Sequence, residues 1–181
     1  MTAPAWIYEH SADGTARYVL GTVGDNPFVC VGVNPSTAKP GALDATMRRV
    51  SRFAQDLGHD SWLMLNLYPQ IATDPRELHH GMDEQLAAAN ELAITRHLAD
   101  RQLTLVAAWG SLIASRPYLR ELARRLATLD ALAGSTWRSL GAVTRDGHPR
   151  HPLYLRADTP LQEFAMNAYI GSDGAAHSRE P

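Results

Sequence analysis

The chain predicts a three-layer α/β/α fold, a mainly parallel central sheet between two helical layers, with an added N-terminal β-hairpin. Three observations carry this. Short apolar runs recur at 28–33, 62–65 and 103–109, and each is nearly free of polar residues, as expected of strands covered on both faces. A helical pattern follows each run, so strand, loop and helix repeat three times, the pattern of parallel strands joined by crossover helices. The chain has 181 residues, 45% hydrophobic and 20% charged, enough for one domain with its own core but short for two. The expected organisation is a single α/β domain over 1–170 and a disordered tail over 171–181.

The elements follow in order. The β-rich stretch 17–23 and the run 28–33 flank the turn residues Gly24-Asp25-Asn26-Pro27 and read as hairpin arms. The run ends in Asn34-Pro35-Ser36-Thr37-Ala38-Lys39-Pro40-Gly41, a loop by composition. Asp44 reads as an N-cap, with Met47, Val50, Phe53, Ala54 and Leu57 at helical spacing until Gly58. The second run ends in Asn66-Leu67-Tyr68-Pro69, and Asp74-Pro75 opens a short helical turn. A helix is predicted over 83–100, with Leu86, Asn90, Ala93, Ile94 and His97 near one face. Pro117 starts another, with Leu119, Leu122, Ala123 and Leu126 on one side. A last strand over 137–143 leads into the loop containing His148-Pro149-Arg150-His151-Pro152. A short helix is expected after Pro160.

Composition narrows the function classes. Seventeen basic against 19 acidic residues leave a formal charge of −2, so no global positive field draws the chain to nucleic acid. The single cysteine, Cys30, excludes an internal disulfide and a multi-thiolate zinc site, and its place among apolar residues reads as inert core. No apolar run is long enough to cross a bilayer, and no secretory leader pattern opens the chain. A cytoplasmic protein without a membrane partner is expected.

In an open α/β sheet, ligands sit beyond the carboxyl ends of the strands, where the chemically unusual loops fall. Asn34 could orient a water or a polar ligand atom, and the N–H groups of the loop after Pro35, from Ser36 on, could meet an anion; turn formation alone is the alternative. Asn66 repeats the position of Asn34 on the next strand, and its amide could read a nucleobase edge beside a stacking Tyr68; both could equally be turn and core residues. His151, held neutral, could donate to a developing oxyanion. His148, with Arg150 and Arg145, lies in the same stretch. Arg48 could clamp a phosphate or merely face solvent. Neither a P-loop nor GxGxxG is present, and no GxSxG elbow accompanies a serine. A metal at His148-x-x-His151, aided by His79 and His80, is disfavoured because HExxH, clustered carboxylates and a spare thiolate are all missing. No cofactor is expected.

The segments VGVNPSTA, Asp44-x-Thr46-x-Arg48-Arg49, LNLYPQIATDPREL, AAWG and GHPRHPLYL together resemble a family of bacterial and phage domains of unknown function, over roughly 18–164. A more remote resemblance runs to the uracil-DNA glycosylase superfamily. Its motifs are matched in order by Gly32-Val33-Asn34-Pro35-Ser36, Leu63-Met64-Leu65-Asn66, Ala107-Ala108-Trp109-Gly110 and His151-Pro152-Leu153-Tyr154. The resemblance implies a glycosylase-like fold and N-glycosidic bond hydrolysis. Asn34 and His151 would be catalytic, the first positioning water and the second donating to the departing base. Pro35, Ser36, Asn66, Tyr68, Trp109, Gly110, Arg48 and His148 would bind substrate. The expected partner is a nucleobase-containing ligand, free or in DNA. Departures are present: Leu153-Tyr154 replaces a Ser-Pro phosphate pinch, although Leu153 could still wedge, and no aspartate stands in the NPST loop. The alternative is a nucleotide or nucleic-acid binder without turnover.

Overall fold

The computed structural model describes residues 4–171. The expected disordered tail lies outside the described residues, apart from Gly171. The strands are β1 (Trp6–His10), β2 (Arg17–Thr22), β3 (Pro27–Gly32), β4 (Ser61–Asn66), β5 (Thr104–Ala107), β6 (Thr136–Leu140) and β7 (Leu161–Glu163). The helices are α1 (Ala45–Asp56), α2 (Glu84–Leu98), α3 (Pro117–Ala127) and α4 (Met166–Gly171). All seven strands form one sheet in the order β1-β2-β4-β3-β5-β6-β7. The middle strands β4, β3, β5 and β6 are mutually parallel. At the edges β1 pairs antiparallel with β2, β2 with β4, and β7 with β6. The sheet is therefore mixed, with a parallel centre.

Side-chain alternation along the central strands sets the layers. Phe28 and Cys30 of β3 point to the same side as Met47, Val50, Phe53 and Ala54 of α1. Val29 and Val31 face the other side, with Ala93, Ile94 and Leu98 of α2 and Leu119, Leu122 and Leu126 of α3. Both faces of β3 are covered, which is why its sequence reads as an unbroken apolar run. The helix distribution follows from connection handedness. The chain leaves β3 toward β4 on one side and then returns past β3 to β5 on the other, so right-handed crossovers put α1 and α2 on opposite faces. The step from β5 to β6 continues in the second direction, and α3 joins α2.

Three local expectations are corrected. An N-terminal hairpin exists, but its arms are β1 and β2, with the Ser11–Ala16 turn held by Asp13, which accepts from Thr15 N at 3.0 Å and Ser11 Oγ at 2.6 Å. β2 and β3 do not pair; β4 lies between them. The Gly24–Pro27 turn residues serve a connection anchored on Asp60, whose carboxylate accepts from Asp25 N at 3.0 Å and Asn26 N at 2.9 Å. Beyond Pro160 the chain forms β7 before the short helix α4. On α2 the buried face is Ala87, Asn90, Ala93, Ile94 and Leu98, whereas Leu86 and His97 sit at its margin. Cys30 is buried as expected, and desolvation pushes its thiol up to about 12. Among the described residues no helix is long and apolar enough to cross a membrane.

Candidate functional site

The strand order reverses between β3 and β5: the connection leaving β3 runs one way to β4, and the one leaving β5 runs the other way to β6. A crevice necessarily opens there beyond the carboxyl ends of β3 and β5. It holds a cavity of about 140 Å³. Its lining brings together Asn34, Ser36, Trp109 and His151 from the sequence-derived set, with Arg17, Asp44, Thr46 and Thr73 added.

Asn34 leaves β3 and is fixed by the loop after β4. Its Nδ2 donates to Ala72 O at 2.8 Å and to Pro35 O at 3.0 Å. Those bonds occupy the amide's donors and leave Oδ1, which accepts no hydrogen bond among the described residues. Pro35 does not line the cavity; its carbonyl also accepts from Ala72 N at 3.0 Å and ties the two loops together. Asp44 caps α1, its Oδ1 accepting from Met47 N at 2.8 Å.

His151 caps the short 3-10 turn Pro152–Tyr154. Leu153 N donates to its Nδ1 at 3.3 Å, so in the neutral ring the proton belongs on Nε2. Burial lowers its pKa, with the Asp44 carboxylate opposing the shift. The neutral form is therefore favoured near pH 7, with Nε2–H as a donor. Gly110 follows the wall residue Trp109 at a φ of +60°, a conformation that favours glycine. A Cβ there would lie 3.6 Å from that of His151. Gly110 lines an adjoining cavity, of about 160 Å³, that shares His151.

Asn66, Tyr68, Arg48 and His148 do not line this cavity. Asn66 is fully buried. With its amide nitrogen turned toward carbonyls, it donates to Asn34 O at 3.2 Å and Leu65 O at 3.3 Å, while Asn90 of α2 grips its own carbonyl at 2.8 Å. It braces the end of β3. Tyr68 is likewise buried; its hydroxyl bonds His79 Nδ1 at 2.7 Å and accepts from Asp83 N at 3.2 Å, and its ring packs on Tyr118. Its ring does not line the cavity. Arg48 is exposed and turns back to Leu43 O. His148 is buried against Tyr169, whose hydroxyl lies 2.9 Å from its Nδ1 and 3.1 Å from Trp109 Nε1. Burial lowers the pKa of His148 too, aided by Arg120. It supports the wall from behind.

Arg17, Thr46 and Thr73 escaped the sequence reading, and Asp44 was read only as a cap. The Asp44-x-Thr46 pair stood inside a matched motif and could have been found there. Arg17 gave no local signal, since an arginine opening a strand reads as an exposed edge residue. Among the described residues, no group of three or more His, Cys, Asp or Glu is placed to hold a metal ion.

A family described as Protein of unknown function (DUF1643) matches residues 17–153. The chain belongs to that family. The DUF1643 match begins at Arg17 and passes His151, so it encloses every residue lining the cavity. No curated protein matches the chain. A solved α/β hydrolase from Novosphingobium aromaticivorans is similar over 81% of this chain and 48% of its own, with 17% identity and a TM-score of 0.40. The chain thus spans about half the length of that hydrolase.

Proposed function

We propose that the cavity is a nucleobase site and that its reaction is hydrolysis of an N-glycosidic bond. The observation carrying this is the convergence of Asn34 and His151 on one small cavity. The first has its acceptor free; the second is neutral with a donor available. The glycosylase likeness supports the reading: its four motifs fall at the carboxyl ends of β3, β4 and β5 and in the loop after β6. Size adds a constraint, because a cavity of about 150 Å³ accommodates a benzene ring. A monocyclic base fits a space of about 140 Å³.

In this mechanism the C1′–N bond breaks with its electron pair leaving on the base. The base oxygen gains negative charge and His151 Nε2–H donates to it, a stabilisation that grows as the bond lengthens. Asn34 Oδ1 holds a water against the oxocarbenium face, and the water adds at C1′ while its proton passes to solvent. Leu153 and Tyr154 stand exposed on the turn capped by His151, where a strand carrying an extruded base would pass. The withdrawal of Asn66 and Tyr68 from the cavity favours a second reading, a base or nucleotide binder without turnover.

A base-release assay read by mass spectrometry separates the two. Single- and double-stranded DNA containing uracil, hypoxanthine, xanthine or mismatches, and free nucleosides, are presented to wild type, Asn34→Ala and His151→Ala. Release by wild type that falls roughly 10²–10³-fold in His151→Ala, the usual cost of one oxyanion donor, supports hydrolysis. Saturable binding without release establishes the binder.

A further inference from the structure

Arg17 has no part in that mechanism, yet it is the charged group most deeply placed at the cavity. Its main chain is fixed where β2 meets the loop after β4, with Arg17 N donating to Pro69 O at 2.9 Å. The side chain is 1% exposed. Nη1 donates to Ala38 O at 2.7 Å, and the buried Nε has no hydrogen-bond partner. Among the described residues no carboxylate is in ion-pair contact with it. The carboxylate that acts on it is Asp44, another cavity residue, whose Oδ1 is already engaged by α1. Burial draws the guanidinium down to about 10, so it remains a cation at neutral pH. Buried charges are ordinarily paired, and an orphaned buried donor calls for a partner.

We propose that the cavity binds a monocyclic ligand carrying an anionic oxygen, a carboxylate or a phosphate, which is received by Arg17. The planar guanidinium fork is suited to such oxyanions. Asp44 refines the ligand class. A bare anion is repelled by Asp44, whereas a ring with an oxyanion on one edge and an N–H on another satisfies both charges. The Ser36 and Thr46 hydroxyls line the same space and supply further donors. The inference goes beyond the nucleobase reading, since an unmodified neutral base brings no charge to Arg17. It stands or falls independently of any base release.

Calorimetric titration of the full chain tests it, with 6-carboxyuracil and benzoate set against their neutral counterparts uracil and benzamide. Wild type is expected to prefer the charged ring by roughly tenfold or more, as for a charge-assisted hydrogen bond, and 6-carboxyuracil to exceed benzoate. Arg17→Met abolishes the preference. Phenyl phosphate titrated beside benzoate separates the two oxyanions: tighter binding of the first assigns phosphate, tighter binding of the second carboxylate. Equal affinity of charged and neutral rings for wild type overturns the proposal, as does a preference that survives in Arg17→Met. Should that variant not fold, Arg17→Lys replaces it: loss of the fork must reduce the preference, and an unchanged preference overturns the proposal.

Discussion

At the residue scale the site depends on side chains held in one protonation and hydrogen-bonding state. His148 and His151 both have pKa values below the ordinary 6.5 because burial disfavours the imidazolium. Below pH 6.5 the unfolded chain therefore binds protons that the folded chain refuses. Their contribution to stability is fully present above that pH and is lost as pH falls through the folded values. Urea titrations from pH 7.5 to about 5 should show the midpoint falling, and His148→Gln with His151→Gln should flatten the slope. Arg17 predicts the opposite kind of change. Replacing a buried, incompletely bonded cation by methionine removes a desolvation cost without breaking an ion pair. Arg17→Met is expected to raise the urea midpoint; a lower midpoint would show that the bond to Ala38 O outweighs that cost.

At the element scale, short-range features hold the loops around the cavity. Asp44 both caps α1 and lines the site, so Asp44→Ala should cost about 1 kcal/mol, the ordinary value of an N-cap. Asp44→Asn keeps a cap of similar strength and removes the charge. If ligand affinity changes in both variants but stability falls only in Asp44→Ala, the two roles are separate; thermal unfolding and titration of each check this. Gly110 holds the turn from β5 beside His151 at a positive φ. Gly110→Ala should cost about 1–3 kcal/mol through backbone strain, since the added Cβ meets only ordinary contacts. Gly21→Ala is more severe: its Cβ would lie 2.2 Å from Trp62 O, forcing β2 and β4 apart. Circular dichroism with denaturant titration distinguishes the cases.

At the scale of the whole molecule, the cavity is a consequence of topology. It lies where β3 has β4 on one side and β5 on the other, and the N-terminal hairpin extends the sheet past β4 to deliver Arg17. Trp109 joins this cavity to the core. The residue lines the cavity, yet it is 1% exposed and its ring packs at 5.8–5.9 Å from Trp137, Phe164 and Tyr169. Trp109→Ala should cost roughly 3–5 kcal/mol, as large buried aromatics do, and abolish binding along with it. Trp109→Phe should preserve most of the stability while losing the donor to Tyr169, and denaturant midpoints with ligand titration compare the two.

The sequence by itself determined the elements whose signals are local and whose environment is uniform. β3, β4 and β5 are apolar because both of their faces are covered, and α1 and α3 carry apolar spacing that packing left intact. It also pointed to the strand ends, where the cavity lies, and singled out Asn34, Ser36, Trp109 and His151, which line it. Tertiary structure decided what pairs and what faces inward. The turn at 24–27 suited a hairpin, but β2 found its partner in β4, because strand pairing is settled by the crossovers and not by the nearest turn. Asn34 and Asn66 read alike in sequence; only one edges the cavity, since a residue's direction at a strand end depends on the neighbouring loops. Arg17 shows the limit most plainly. A strand-opening arginine carries no mark of burial, and its charge becomes a feature of the site only when the loop ending at Asp44 closes over it.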